Sequence, residues 1–106
     1  MVEFQFFEGC PNSEQTLANL NELIREHFIE KSDVTIVEIL DPEESERLNF
    51  QGSPTILVDG IDIYSGLTPK SSSFSCRTYT FDGKRTGILS KEFIKNKIIE
   101  FRSSLD

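Results

Sequence analysis

The chain has 106 residues, of which 37% are hydrophobic, and this size and composition predict a single domain over residues 1–106. Its 18 Asp and Glu outnumber its 11 Lys and Arg, and a formal charge of −7 argues against a nucleic-acid partner. Two cysteines are too few for a disulfide scaffold. With only one histidine besides them, a zinc site of the usual kind would need carboxylates, so we predict no metal site.

Nothing in the sequence predicts a membrane partner. The longest apolar runs, such as residues 56–58, are far shorter than the roughly 18 to 20 residues that span a bilayer. The start of the chain, Met1-Val2-Glu3, lacks the basic region and long apolar region of a signal peptide. We therefore expect a cytoplasmic protein whose cysteines are thiols unless they cycle in catalysis.

The first third of the chain predicts a strand followed by a helix. Residues 2–7 alternate and then become continuously apolar, which is typical of a buried strand. Pro11 suits a first helical turn, with Asn12 or Ser13 as the cap. An apolar stripe at helical spacing predicts a helix over about 12–29, with Ser32-Asp33 ending it. The stripe is formed by Leu17, Leu20, Ile24 and Phe28.

The middle of the chain predicts three further strands and a short helix. Residues 34–40 are rich in β-branched side chains and predict a second strand. An acidic stretch at 42–48 predicts a short helix at most. Asp59-Gly60 between residues 55–58 and 61–64 is a strong signal for a two-residue hairpin.

The last third predicts a loop, a second hairpin and a final helix. Residues 66–73 are polar and predict a loop, and 76–81 predict a short strand that turns at Asp82-Gly83 into 84–86. Ser90 is a plausible cap for a helix to the C-terminus. One face of that helix carries Ile94, Ile98, Phe101 and Leu105.

Two motifs in this order resemble the thioredoxin/glutaredoxin superfamily. The first is Phe-Glu-Gly-Cys-Pro-Asn-Ser at 7–13, and the second is Gly-Ser-Pro-Thr-Ile-Leu-Val-Asp-Gly at 52–60. The resemblance covers about residues 1–66 and 90–104. It implies an α/β, thioredoxin-like fold, βαβ-ββα, with a mixed central sheet flanked by helices and an insertion at about 67–89.

The resemblance also implies a site. It makes Cys10 the nucleophile at the start of the first helix and places a cis Ser53-Pro54 bond opposite it. That bond would leave the N–H and C=O of Ser53 free to pair with an extended peptide or a thiol ligand. The residues expected to bind substrate are Pro11, Ser13, Ser53, Pro54, Thr55 and Gly66, together with Arg77 from the insertion.

The chain departs from the dithiol pattern at Ser13, where a Cys-x-x-Cys pair has its second thiol. Cys-Pro-Asn-Ser at 10–13 is similar to the Cys-x-x-Ser site of monothiol glutaredoxins. Together with the later Cys-Arg-x-Tyr at 76–79, it also resembles a bacterial group of small thioredoxin-like proteins loosely labelled as related to alkylmercury lyase.

The residue chemistry favours Cys10 as a nucleophile, because unpaired N–H groups and the macrodipole at a helix N-terminus stabilise a thiolate. The alternative is a buried structural cysteine. The hairpin topology returns the insertion to the same end of the sheet. Cys76 would then lie near Cys10 as a resolving thiol, although a structural role is equally compatible with the sequence.

Charged residues around this region have two interpretations each. Arg77, Lys84 and Arg85 either stabilise the thiolate or hold the carboxylates of glutathione, or they belong to a solvated hairpin. Glu8 either moves a proton or opposes the thiolate. His27 is too far along the helix for a dyad with Cys10, and we expect it at the surface or in packing.

The leading functional hypothesis is thiol–disulfide exchange on a small or protein disulfide or thiol, with the intermediate resolved by Cys76 or by an external thiol. We predict no bound cofactor, with glutathione as the one candidate. A second hypothesis is binding of a soft metal or an organomercurial by the thiols. A third is a binding module that has the scaffold but no turnover.

Overall fold

Four strands form a mixed sheet in the order β2-β1-β3-β4, and a separate two-stranded hairpin follows in the chain. The computed structural model describes residues 1–103. Its strands are β1 (Val2–Phe6), β2 (Val34–Glu38), β3 (Thr55–Val58), β4 (Ile61–Asp62), β5 (Tyr79–Phe81) and β6 (Lys84–Thr86). Its helices are α1 (Pro11–Arg25), α2 (Pro42–Leu48) and α3 (Lys91–Ser103), with a single 3₁₀ turn at Lys31–Asp33.

The central strand β1 decides which chain segments meet. It pairs in parallel with β2, so α1 is the connection between them, and Phe4 lies opposite Ile36. It pairs in antiparallel with β3, where Phe4 faces Ile56 and Gln5 faces Thr55. Because these two strands run in opposite directions, the residues that follow β1 lie beside those that precede β3.

The core lies between the sheet and the pair α1 and α3, which pack against each other. Alternate residues of β1 and β3 point to this side, as period-two strands require. The buried core consists of Val2, Phe4, Leu20, Leu23, Ile29, Ile56, Val58, Ile63, Tyr79, Leu89, Ile94 and Ile98. The predicted apolar face of α3 is confirmed at Ile94 and Ile98; Leu105 lies outside the described residues.

The prediction that the first helix extends to about residue 29 is wrong in its last turn. The helix ends at Arg25 in a Schellman arrangement, in which Phe28 N–H donates to Leu23 C=O and His27 N–H donates to Ile24 C=O. His27 takes the left-handed φ of 61° that glycine usually supplies there. The start also differs, since Cys10 is the N-cap rather than Asn12 or Ser13.

Both predicted hairpin turns are confirmed. Asp59-Gly60 has φ values of 51° and 82°, and Asp82-Gly83 has 52° and 79°, as a two-residue primed turn requires. Four predicted strands are shorter than expected: residues 2–7, 34–40, 61–64 and 76–81 contain strands only at 2–6, 34–38, 61–62 and 79–81. The third strand, at 55–58, and the cap at Ser90 are as predicted.

A buried ion pair ties the segment before β5 to the sheet. Arg77 Nη2 lies 2.5 Å from Asp62 Oδ2, with the two side chains 12% and 2% exposed. The guanidinium also lies 4.7 Å from the centre of the Tyr79 ring. Such a pair stabilises the fold because removal of either partner would leave the other charge unpaired in a poorly solvated place.

We predict that Asp62→Asn lowers the free energy of unfolding by about 3 kcal/mol, because it leaves the Arg77 guanidinium without its buried counter-charge. Urea denaturation followed by circular dichroism measures this loss. The matched control is Glu26→Gln, which breaks the exposed pair with Lys91. Equal losses in the two variants would contradict the prediction.

Candidate functional site

Cys10 lies between the end of β1 and the start of α1. It follows Gly9, whose φ of 101° turns the chain, and it is the extended N-cap residue before Pro11. Only 4% of Cys10 is exposed. Its thiol donates to the C=O of Ser53 with a sulfur-to-oxygen distance of 3.5 Å. The thiol therefore lies at the N-terminus of α1 and next to the backbone of Ser53.

The peptide bond between Ser53 and Pro54 is cis, and it faces Cys10 as the resemblance implied. The Ser53 side chain is buried, and its Oγ lies 2.5 Å from Ser13 Oγ and accepts a hydrogen bond from Phe7 N–H at 3.2 Å. Ser13, at the position of the missing second thiol, thus joins the first motif to the second. This hydroxyl pair links the end of β1, the start of α1 and the approach to β3.

The expectation that Ser53 has a free backbone edge is wrong. Its N–H donates to Ser75 C=O at 2.8 Å, and its C=O accepts from Arg77 N–H at 2.9 Å. These bonds form an isolated parallel bridge between Ser53 and Cys76. The chain's own residues 75–77, here called the strap, therefore fill the position predicted for an extended ligand.

Gly52 is needed for the strap to come this close. Its φ of +112° is unfavourable for residues with a side chain, and an added Cβ would lie 3.0 Å from Arg77 Cβ and 3.1 Å from Ser75 O. The glycine of the second motif thus serves a close approach between two backbones.

The strap holds Cys76 against Cys10. Both cysteines are free thiols, and Cys76 is exposed whereas Cys10 is buried. A hydrogen bond with Cys10 raises the pKa of the Cys76 thiol, and burial and the charge of Cys10 raise it further. The Cys76 thiol is therefore protonated over a wider pH range than an ordinary cysteine thiol.

Two residues implied to bind substrate hold the strap instead. Arg77 Nη1 donates to Thr55 Oγ1 at 3.1 Å, and Thr55 Oγ1 donates to Gly52 C=O at 2.6 Å. Burial raises the pKa of Tyr79 above its ordinary range, so its hydroxyl stays protonated and donates to Pro54 C=O. The polar groups of Thr55 and Arg77 are thus already engaged within the protein.

The structure separates Gly66 from the other implied site residues. Cys10 and Ser13 line a pocket of about 100 Å³, whose walls are mainly aromatic and aliphatic and which also includes Glu8 and Glu14. Gly66 lines a different cavity of about 580 Å³ in the loop after β4, and the two share no lining residue. Pro11 is exposed beside Cys10.

The remaining charged candidates lie at the surface. Lys84 and Arg85 are exposed on β6, and His27 is exposed after the end of α1, as expected for it. Within residues 1–103, no three His, Cys, Asp or Glu side chains are grouped so that they could hold a metal ion. In the same part of the chain, no helix has the length and apolar character to cross a membrane.

Asp62 is the important residue that sequence reasoning missed. Its signal was available, since an Asp between Ile61 and Ile63 in a predicted strand must either face solvent or find a buried partner. The structure supplies that partner in Arg77.

Comparisons with known proteins give no match to this chain, whether to a family model, to a curated protein or to a solved structure.

We predict that Cys10→Ser moves the alkylation of Cys76 to lower pH. The variant removes the sulfur whose hydrogen bond and charge raise the Cys76 pKa, so more Cys76 thiolate exists at any pH below that midpoint. Iodoacetamide labelling at a series of pH values, with Cys76 followed by peptide mass spectrometry, gives the two midpoints. An unchanged midpoint would show that the thiols do not interact in solution.

Proposed function

We propose that this protein is a thioredoxin-like thiol–disulfide exchange protein, in which Cys10 is the nucleophile and Cys76 is the resolving thiol. The observation that carries the proposal is that both cysteines meet at Ser53: the Cys10 thiol donates to its C=O, and Cys76 forms an isolated bridge with it, close enough to Cys10 for that residue to raise the pKa of Cys76. A second thiol is thus available without a Cys-x-x-Cys pair.

The topology supports the thioredoxin-like part of the proposal. A parallel β1–β2 pair joined by α1 precedes an antiparallel β3–β4 hairpin, all in one sheet of order β2-β1-β3-β4. The candidate nucleophile caps α1, and a cis-proline precedes β3. Because fold alone does not establish activity, the argument for exchange depends on the thiol pair.

In the first step the Cys10 thiolate attacks one sulfur of a substrate disulfide. A bond forms between Cys10 Sγ and that sulfur, the substrate S–S bond breaks, and the other sulfur leaves as a thiolate that takes a proton from solvent. The attacking sulfur belongs to the N-cap residue of α1, and the substrate disulfide is the oxidant.

In the second step Cys76 attacks the Cys10 sulfur of the mixed disulfide. Cys10 then carries no charge and accepts no proton, so two of the causes that raise the Cys76 pKa disappear. The Cys76 proton passes to solvent, the second substrate thiolate leaves and is protonated, and a Cys10–Cys76 disulfide forms. An external thiol, abundant in the cytoplasm that the sequence predicts, returns both cysteines to thiols.

We expect Cys10→Ser to abolish the protein-catalysed reduction of bis(2-hydroxyethyl) disulfide when glutathione is the external thiol. Without an external thiol, we expect the reaction of Cys76→Ser to stop at a stable mixed disulfide on Cys10. Intact-protein mass spectrometry separates the two products: oxidised wild type loses two hydrogens, whereas Cys76→Ser gains one substrate half. Cys10 that is unreactive in the native wild type would instead support a binding module, which its burial favours.

Binding of a soft metal cation is a second candidate, favoured by the same adjacent thiols. Thiolates prefer soft cations such as Hg²⁺ or Cu(I). The discriminating experiment titrates methylmercury and Cu(I) into wild type, Cys10→Ser and Cys76→Ser. Tight one-to-one binding that needs both cysteines, in a protein without exchange activity, would replace exchange by this function.

A further inference from the structure

We propose that the substrate of the Cys10 site is a small disulfide with uncharged or cationic arms, rather than an anionic disulfide such as oxidised glutathione or an extended protein segment. This inference rests on the exchange activity proposed above and names its substrate class. Two independent features carry it: the strap on Ser53 and the composition of the Cys10 pocket.

The strap removes the hydrogen-bonding edge that an extended peptide would need. Both backbone groups of Ser53 are paired with residues 75 and 77, and Ser53 is fully buried. A peptide could add there only after the strap left, which would break two backbone hydrogen bonds and expose the Arg77–Asp62 pair. The bound strap therefore disfavours substrates that bind as a strand.

The Cys10 pocket has the size for one small arm. Its volume of about 100 Å³ is well below the roughly 300–1,000 Å³ of pockets that enclose drug-sized ligands. Its apolar wall includes Phe6, Phe7 and Leu17. Such a space suits a short aliphatic arm next to the sulfur that Cys10 attacks.

The charge at the pocket selects against anions. Besides Cys10 itself, its only ionisable lining residues are Glu8 and Glu14. Arg77, the nearby cation expected to hold a carboxylate, is bound to Asp62 and Thr55 instead. A carboxylate on the substrate would meet two acidic side chains, whereas an ammonium group would be attracted to both.

The test uses Cys76→Ser, in which the reaction stops at the mixed disulfide, and three disulfides of matched size. Cystamine has two ammonium arms, bis(2-hydroxyethyl) disulfide is neutral and 3,3′-dithiodipropionate has two carboxylate arms. Rates of mixed-disulfide formation are measured at pH 7 and low salt by mass spectrometry. Each rate is divided by the rate of the same disulfide with free 2-mercaptoethanol, which removes intrinsic reactivity.

We expect the normalised rate to fall in the order cystamine, neutral disulfide, dithiodipropionate, with about tenfold or more between the extremes. Adding Glu8→Gln and Glu14→Gln should bring that ratio toward one. The control pair, Glu22→Gln near the end of α1 and Glu30→Gln in the segment after it, removes the same charge at residues that do not line the pocket, and should keep the ratio.

The strap is tested with a linear peptide whose single cysteine is joined to cysteamine. We expect this peptide disulfide to react at least about tenfold more slowly than cystamine. If the anionic disulfide or the peptide disulfide reacts as fast as cystamine, the proposed substrate class is wrong but the exchange activity is not. The same holds if the Glu8 and Glu14 substitutions leave the ratio of the cystamine and dithiodipropionate rates unchanged. Absence of any reaction at Cys10 would overturn the exchange activity itself.

Discussion

The site depends on the complete hydrogen bonding of one buried residue, Ser53. Its N–H, C=O and hydroxyl bind partners from three parts of the chain: the end of β1, the first turn of α1 and the strap. A buried polar group without a partner costs about 1–3 kcal/mol, so each of these segments is held where it satisfies Ser53. Ser53 precedes the cis bond to Pro54, and its C=O also accepts from the Cys10 thiol.

The same constraint explains how Cys76 comes to lie near Cys10. Ser13, three residues after Cys10, makes a short hydrogen bond to Ser53 that a thiol at this position would make poorly. The strap, bonded to the backbone of Ser53, brings Cys76 near Cys10 from 66 positions later in the chain. The Ser13 hydroxyl and the Cys76 backbone are thus on separate segments that both bind Ser53.

Charge is organised locally in a way that the net charge does not reveal. The overall excess of acidic residues says only that polyanions are unfavourable partners. Within the strap, Arg77 is paired with Asp62 and its guanidinium lies near the Tyr79 ring, so it acts as a structural element. The acidic side chains of Glu8 and Glu14 line the Cys10 pocket.

The sequence alone determined the order of the helices and strands, because periodicity, Gly-containing turns and caps are local signals. Asp59-Gly60, Asp82-Gly83 and Ser90 were predicted correctly for this reason. The resemblance supplied the cis bond, which local signals do not. Only the tertiary structure decided that Arg77 pairs with Asp62, that Ser75 and Arg77 bind Ser53, and that α1 ends at Arg25.

The contacts of Arg77 with Asp62 and of the strap with Ser53 join residues 15 to 24 positions apart. Their partners are determined by burial and by the need of buried polar groups for hydrogen bonds, which no periodic sequence pattern encodes. The end of α1 was not predicted because His27, rather than a glycine, adopts the left-handed conformation there. A glycine at this position would have indicated a helix end in the sequence.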